Sequence, residues 1–207
     1  QNADRIDKLV IDLRTNRGGN GTLLFPFLHE LIRHERLNTR GHLYVLCGAG
    51  SYSAAPVLMA QMKLHTEVIF VGEPTGNAFN FFSDARTFGV TPHFGYTVRI
   101  ATRHLDLNWP SKKESAVFPH VPAPMYARDY FLGRDPALEL IQQGELLDAE
   151  TIFWRDGPQA ALDYYKRINV APWAADFFHT SSYQRCYEEE FHGYASFLIG
   201  KRSEEHT

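Results

Sequence analysis

Leu43-Tyr-Val-Leu-Cys-Gly-Ala-Gly-Ser-Tyr-Ser-Ala-Ala-Pro-Val-Leu-Met-Ala-Gln-Met-Lys63 is the stretch that decides the fold of this chain. Its first part, residues 43–47, is a short apolar run with the length and composition of a buried strand. Glycines then interrupt the run, and from Ser53 onward apolar residues recur at helical spacing. Pro56 falls in the first helical turn, where a residue without an N–H is tolerated. The stretch therefore predicts a strand, a glycine turn and a helix that starts near Ser53.

This stretch alone allows two interpretations of Ser53. Serine is a preferred N-cap, because its side-chain oxygen accepts a hydrogen bond from the first turn of the helix. Alternatively, its hydroxyl lies at the positive end of the helix dipole beside backbone N–H groups that have no helical acceptor. A serine nucleophile and its oxyanion are stabilised in that environment. Both interpretations stay open at this point.

The composition excludes several classes of protein. The chain has 207 residues, of which 44% are apolar and 14% aromatic, so it can bury a core and hold one or two domains. A net charge of −3 without a basic cluster argues against nucleic-acid binding. No apolar run approaches the roughly 18 residues of a membrane helix. Cys47 and Cys186 form no disulfide framework, and no zinc signature occurs, so we expect neither a metal nor another cofactor.

Other segments repeat the order of strand, loop and helix. Leu9–Leu13 is a short apolar run followed by a turn rich in glycine and asparagine, and residues 23–36 have helical periodicity. A third buried strand is expected over Glu67–Val71. Strands that alternate with helices predict an α/β domain with a largely parallel sheet. After Gly76 the pattern changes to short strands, expected over 79–82, 85–90 and 96–101, which form a mixed β extension.

The last part of the chain is helical and rich in aromatic residues. Helices are expected over 149–155, 159–168 and 183–199, with a domain boundary near Gly144 that separates residues 1–143 from a helical tail of residues 144–201. The segment 188–201 is similar to the opening helix of a tetratricopeptide-type unit, and equally to any amphipathic helix.

Both ends of the chain have features of cut ends. A strand starts within a few residues of Gln1, so we expect an N-terminal part to be missing. At the other end, Arg202-Ser-Glu-Glu-His-Thr207 is the translation of AGA TCG GAA GAG CAC ACG, the start of a widely used sequencing adapter. We interpret residues 202–207 as an adapter scar and exclude them from fold reasoning.

Three separated motifs together resemble the tail-specific, or C-terminal processing, serine peptidases. Leu9-Val-Ile-Asp-Leu-Arg-Thr-Asn-Arg-Gly-Gly19 resembles the family signature Asp-Leu-Arg-x-Asn-x-Gly-Gly. Ser51-Tyr-Ser-Ala-Ala55 is similar to the nucleophile turn, and Val71-Gly-Glu-Pro-Thr-Gly76 to the strand end and loop that follow it. Each motif is weak alone, but three in order at compatible spacing are specific. The resemblance continues as far as Leu138.

The resemblance implies a crotonase-like α/β core and cleavage of peptide bonds through an acyl-enzyme. The resemblance places Ser53 at the position of the nucleophile. The N–H of Ala54, together with an N–H from Gly18 or Gly19, would form the oxyanion hole. The resemblance also implies a protein or peptide substrate and a bacterial protein exported to the periplasm or cell envelope.

The general base is where the sequence departs from the family pattern. Lysine-type members carry the base after the Gly-Glu-Pro-Thr segment, but the matching position is about Ala78 and no lysine lies between Leu64 and Arg103. The tricorn-like branch instead takes a histidine from a segment before the Asp-Leu-Arg strand, so the base would lie outside this chain. That branch also uses a supporting carboxylate, for which Asp106 and Glu114 are the candidates.

Asn80 lies near the position that the lysine has in other members, and we predict that it contacts substrate. Four histidines downstream of Ser53 are not interpreted as the base. His65 is read as a helix-end residue, and His93 and His104 as turn and strand-end residues. His120 lies where the resemblance implies an aspartate, so it is interpreted as a divergence from the family pattern. The alternative function is a catalytically inactive homologue that binds a peptide or an apolar ligand. The sequence does not determine the oligomeric state.

Overall fold

The computed structural model describes residues 6–107, 116–144 and 146–169. The chain divides into two compact units, the first ending at Pro119 and the second beginning at His120. The domain boundary expected at Gly144 stays a prediction. Glu114, the helix expected over 183–199, the tetratricopeptide-like segment and residues 202–207 lie outside the described residues.

Three parallel strands lie side by side in chain order in the first unit: β1 (Leu9–Asp12), β2 (Leu43–Cys47) and β3 (Ile69–Gly72). Every residue of β2 is buried, as expected of a parallel strand covered on both faces. The predicted α/β architecture with a parallel sheet is confirmed. The third strand starts two residues later than predicted and runs on to Gly72.

Two helices connect these strands. The first, α1 (Leu24–Arg33), follows a short 3₁₀ turn, and the second, α2 (Ala54–His65), follows Ser53. The prediction of a helix as far as residue 36 is wrong. His34 has a ψ of 78°, outside the helical region, and its N–H donates to the Leu31 carbonyl in a tighter final turn.

The core of the first unit joins the sheet to both helices. It fixes the strand ends and therefore the loops that leave them. Its buried members are Leu13, Leu28, Leu31, Leu43, Val45, Cys47, Ala55, Leu58, Met59, Ala60, Met62, Val68, Phe70, Phe79 and Val117.

The expected β extension consists of two antiparallel pairs. In one, β4 (Phe81–Ser83) pairs with β7 (Arg103–Leu105); in the other, β5 (Arg86–Val90) pairs with β6 (Thr97–Ile100). The strand β7 was not predicted, because its short, largely polar sequence lacks an apolar alternation. Both strands of the β5–β6 pair are exposed along their whole length.

The second unit begins with the short strand β8 (Val121–Pro122) and continues with α3 (Ala127–Phe131), α4 (Pro136–Gln142), α5 (Ala149–Asp156) and α6 (Pro158–Asn169). Asp135 caps α4 through its side chain, and proline follows at the first helical position. Leu147, Ile152, Phe153 and Ala161 form a small buried cluster. Across the described ranges, no helix is long and apolar enough to cross a membrane.

Candidate active site

Ser53 lies at a sharp turn between β2 and α2. Its φ of 60° and ψ of −109° are those of the second residue of a type II′ turn. The Ala55 N–H donates to the Tyr52 carbonyl at 3.2 Å and closes this turn, which we call the serine turn (Tyr52–Ala55). A residue other than glycine at positive φ costs about 1–3 kcal/mol. A nucleophile elbow has this combination of a strained serine between a strand and a helix.

Ser53 does not act as a side-chain cap of α2. Although it is the residue before the helix, its side chain makes no capping hydrogen bond. The interpretation as an N-cap is therefore wrong. The hydroxyl lies at the N-terminal end of a helix of 12 residues, where the partial positive charge of the dipole favours a developing negative charge.

Gly18 touches the serine turn. A Cβ added to Gly18 would collide with Ser53 Cβ, and it would lie 2.9 Å from Ser53 Oγ and 2.8 Å from the Ala54 nitrogen. The φ of Gly18 is +93°, which L side chains rarely adopt. Glycine is therefore required here both for the backbone conformation and for the close approach. The structure brings together two motifs that are far apart in the sequence.

Two of the backbone N–H groups around the serine turn have side-chain acceptors. The Gly18 N–H donates to Asn16 Oδ1 at 2.9 Å. The Ser53 N–H donates to Asn77 Oδ1 at 2.7 Å. Because each donor is engaged, neither is free to bind a substrate oxygen.

The N–H groups of Gly19 and Ala54 differ from these two. Neither has a hydrogen-bond acceptor within the part of the chain that the structure describes. Ala54 is the first residue of α2, and the N–H groups of a first turn have no acceptor inside their own helix. Of the donors predicted from the sequence, Gly19 and Ala54 are thus the available pair.

Buried hydrogen bonds tie the loop after β1 to the loop after β2. Ser51 is fully buried; its Oγ donates to the Leu13 carbonyl at 2.7 Å and accepts the Gly48 N–H at 3.1 Å. The Tyr52 N–H donates to the Asn16 carbonyl at 2.9 Å. These bonds hold the serine turn against the loop after β1, which contains Gly18 and Gly19.

The loop after β3 is fastened in a similar way. Thr75 is buried; its Oγ1 donates to the Asn77 carbonyl and accepts the Val117 N–H, each at 2.8 Å. The Gly76 N–H donates to the Ser51 carbonyl at 3.0 Å. The segment that presents Asn77 to the serine turn is therefore itself fixed.

Sequence reasoning did not assign a role to Asn16, Ser51, Thr75 or Asn77. The first three belong to the quoted motifs, so their polar side chains at the ends of apolar strands were a usable signal. Asn77 lies just beyond the third motif, and asparagine after glycine is typical of an ordinary turn. Its role depends on a partner 24 residues away in the sequence.

The remaining predicted site residues lie as follows. Asn80 Oδ1 accepts the Leu107 N–H at 2.9 Å, so its side chain holds the β extension, and its contact with substrate stays a prediction. Asp106 is exposed in the described part of that extension. Which carboxylate supports the site also stays a prediction.

The structure describes the surroundings of three of the histidines that follow Ser53. His65 ends α2, which puts it about 18 Å along the helix axis from Ser53 at 1.5 Å per residue. His104 packs against the Phe82 ring with centroids 4.8 Å apart, and His93 lies in the exposed turn between β5 and β6. That the general base lies outside this chain stays a prediction.

Cys47 is not a competing nucleophile. Burial raises the pKa of its thiol far above the usual value, and the Glu73 carboxylate adds to the rise. The thiol therefore stays protonated near neutral pH, and the thiolate is the reactive form. The described residues contain no group of three or more histidine, cysteine or acidic side chains that could hold a metal ion.

The ion pair of Asp12 and Arg14 makes a pH-dependent contribution at the end of β1. Arg14 Nη2 lies 2.6 Å from Asp12 Oδ2, and Arg14 Nε donates to Oδ1 at 3.0 Å. These hydrogen bonds lower the pKa of Asp12 below 3.8, although burial opposes the effect. The carboxylate of Asp12 thus binds a proton more weakly in the folded protein than in the unfolded chain. The contribution to stability is present above pH 3.8 and is lost as the pH falls through the lower folded pKa.

Replacing Arg14 by glutamine should raise the pKa of Asp12 toward 3.8, measured by NMR titration of the carboxyl carbons. Glu139 is the control in the same spectra, because its pKa is lowered by separate hydrogen bonds from Arg134. It should not change in the variant. An Asp12 pKa that stays low without Arg14 would contradict the assignment of its cause.

Comparison with known proteins finds peptidases among the similar structures. No protein-family model matches the sequence, and no curated protein matches it. A proposed peptidase from Parabacteroides merdae is 21% identical with a TM-score of 0.46, over 64% of this chain and 50% of that one. The photosystem II D1 C-terminal processing protease is 20% identical with a TM-score of 0.41, and the match covers 58% of this chain and 36% of that protease. A proposed S41 protease from Bacteroides fragilis is 16% identical with a TM-score of 0.41, and the match covers 73% of this chain and 45% of that protease.

This chain spans half or less of the length of these structures. The motifs predicted similarity to C-terminal processing peptidases, and such a protease is among the similar structures. All three TM-scores are below 0.5. The function of this chain therefore has to be derived from its own residues.

Proposed function

We propose that this chain carries the nucleophile and the oxyanion hole of a serine peptidase. The observation that carries the proposal is the strained conformation of Ser53, at a φ of 60°, directly against Gly18. Backbone strain of this kind persists only where surrounding contacts hold it, and it is concentrated at functional sites. An ordinary connection between a strand and a helix does not need a serine in this conformation.

The arrangement suits acyl transfer. Ser53 Oγ would give its proton to the general base and attack the carbonyl carbon of a peptide bond. The C–N bond would then break as the base passes the proton to the departing amine, and water would hydrolyse the acyl-enzyme that is left. The carbonyl oxygen would gain negative charge in this step and accept hydrogen bonds from the Gly19 and Ala54 N–H groups. Losing one such donor typically costs about 2.7–4 kcal/mol of transition-state stabilisation. The N-terminus of α2 favours the same charge.

The general base would come from a residue outside residues 1–207. We take a histidine that precedes β1 as the candidate, as in the tricorn-like branch, because no lysine lies between Leu64 and Arg103. A serine without an adjacent base is a weak nucleophile at neutral pH. Asp106 or Glu114 would supply the supporting carboxylate. Because the general base would lie outside residues 1–207, we expect these residues by themselves to have little activity.

The resemblance carried by the motifs supports a more specific form of the proposal. The protein would be an endopeptidase of the C-terminal processing type with a crotonase-like core, acting on proteins or peptides after export to a bacterial periplasm or cell envelope. Residues 1–143 would belong to the catalytic domain, and residues 144–201 would begin a tetratricopeptide-like module.

The alternative is a homologue that binds a peptide or an apolar ligand without cleaving it. The absence of lysine at the family position favours this second candidate. It predicts the same serine turn without an activated hydroxyl, so the two functions differ in one measurable property, the reactivity of Ser53.

Fluorophosphonate labelling of the full-length protein that contains this chain tests the proposal. We expect the probe to phosphonylate Ser53 Oγ with release of fluoride, located by mass spectrometry. Ser53→Ala should remove the label. Ser83→Ala, which changes a serine in β4, should keep it and is the matched control.

The result separates the two candidate functions. A label on Ser53 supports the peptidase. A folded protein that takes no label refutes it and favours the binding module.

A further inference from the structure

We propose that Asn77 is a positioning residue for the nucleophile. It holds the Ser53 N–H and thereby determines which backbone donors are left for the substrate oxygen. This inference rests on the proposed peptidase function and extends it to a residue outside the three sequence motifs.

The contacts of Asn77 fix its side chain in one orientation. Oδ1 accepts the Ser53 N–H at 2.7 Å, and Nδ2 donates to the Ala78 carbonyl at 2.7 Å. An N–H group only donates and a carbonyl only accepts, so the amide cannot be reversed without losing both bonds. The side chain is buried, and the Asn77 carbonyl is itself held by Thr75 Oγ1. The acceptor offered to Ser53 is thus fixed before any substrate arrives.

Holding the Ser53 N–H also holds the strained turn. The φ angle of Ser53 is the rotation about its N–Cα bond. A fixed direction of the Ser53 N–H therefore favours the value of 60°. If this bond were lost, the peptide between Tyr52 and Ser53 could rotate toward negative φ and relieve the strain. That rotation would move Oγ relative to Gly18. Asn77 therefore couples the loop after β3 to the position of the nucleophile.

The hydrogen bond from the Ser53 N–H to Asn77 also affects which backbone N–H groups around the site remain available. The Ser53 N–H is engaged by Asn77, and the Gly18 N–H is engaged by Asn16. Gly19 and Ala54 keep N–H groups without an acceptor among the described residues. Asn77 acts through Ser53 and touches no reacting atom, so its effect should fall on the chemical step rather than on substrate binding.

Residue-resolved hydrogen exchange on the wild-type full-length protein tests the contact directly. In the unlabelled protein, the Ser53 amide should exchange on the order of 10²-fold more slowly than the neighbouring Ala54 amide. After phosphonylation, the phosphonate oxygen should slow the exchange of Gly19 and Ala54 and leave Ser53 unchanged. A Ser53 amide that exchanges as fast as Ala54, or that first becomes protected on labelling, overturns the inference.

Variants of Asn77 test the consequence for catalysis. Asn77→Ala and the bulkier Asn77→Leu both remove the acceptor, and we expect kcat to fall about 10²-fold, the effect of a small displacement of a reacting group. KM should stay within about twofold of the wild-type value, because substrate binding is not the step affected. Asn38→Ala is the matched control, since Asn38 Oδ1 accepts the Glu67 N–H at 2.8 Å outside the site. It should lower the melting temperature without changing kcat.

The outcomes distinguish this inference from the function on which it rests. An Asn77 variant that melts cooperatively and keeps the wild-type kcat overturns the positioning role, even if Ser53 is labelled normally. A wild-type protein that takes no label refutes the peptidase, whatever Asn77 does. If neither variant folds, the exchange rate of the Ser53 amide in the unlabelled wild type decides.

Discussion

Under the proposed function, replacing Ser53 by glycine should abolish peptide hydrolysis and at the same time make the protein more stable. The loss of the hydroxyl removes the acyl-enzyme step, for which removal of a serine nucleophile typically lowers kcat on the order of 10⁶-fold. Stability should rise because glycine adopts a φ of 60° without the clash that Cβ causes. Part of this gain is offset by the greater freedom of glycine in the unfolded chain.

Ser53→Ala is the control that separates chemistry from strain. Alanine also lacks the hydroxyl, so both variants should be inactive, but alanine keeps the Cβ at positive φ. We expect the free energy of unfolding of Ser53→Gly to exceed that of Ser53→Ala by about 1 kcal/mol in denaturant titrations of the full-length protein. Equal stabilities would mean that Ser53 does not hold this conformation in solution.

Replacing Gly18 by alanine should lower kcat by about 10³-fold. The added methyl group would collide with Ser53 Cβ, and it would lie 2.9 Å from the Oγ and 2.8 Å from the Ala54 nitrogen, so the loop and the serine turn must move apart. This would displace the proposed nucleophile from its proposed donors, and loss of a single oxyanion donor typically costs about 10²–10³-fold. The overpacking and the φ of +93° should also lower the stability by about 1–3 kcal/mol.

Gly21→Ala is the matched control for this substitution. A Cβ at Gly21 meets nothing within 4 Å, and the residue lies in the same loop region before α1. Its kcat should equal that of the wild type, and its free energy of unfolding should change by no more than about 0.5 kcal/mol. Steady-state kinetics and denaturant titrations of both variants test the pair. Wild-type kcat in Gly18→Ala would contradict the close approach on which the proposed site depends.

The strands and helices of the first unit were predictable because they depend on local patterns. Apolar runs of strand length at Leu9–Leu13 and residues 43–47, each followed by glycine and then helical periodicity, were sufficient for the parallel α/β sheet. The errors occurred where the local pattern is weak. The end of α1 at Arg33 and the strand β7 depend on contacts that periodicity does not contain.

The sequence by itself determined where the candidate nucleophile lies in the chain, at the junction of an apolar strand and a helix. Together with the family resemblance, it also named Ala54 and the two glycines as candidate oxyanion donors, and it contains no lysine in the segment where the resemblance implies one. The junction of strand and helix at Ser53 follows from residue types and spacing, whereas the donors and the segment in which a lysine was expected follow from the resemblance to the tail-specific peptidases.

The tertiary structure decided which of those groups are available. Ser53 could have been a helix cap, and only the backbone conformation and the missing capping bond show otherwise. The choice of Gly19 over Gly18, and the engagement of the Ser53 N–H by Asn77, depend on directional hydrogen bonds. The contact of Asn77 with Ser53 spans 24 residues of sequence. The physical reason is that a hydrogen bond depends on the distance and angle between two groups, and the folding of the parallel sheet brings the three loops within that distance.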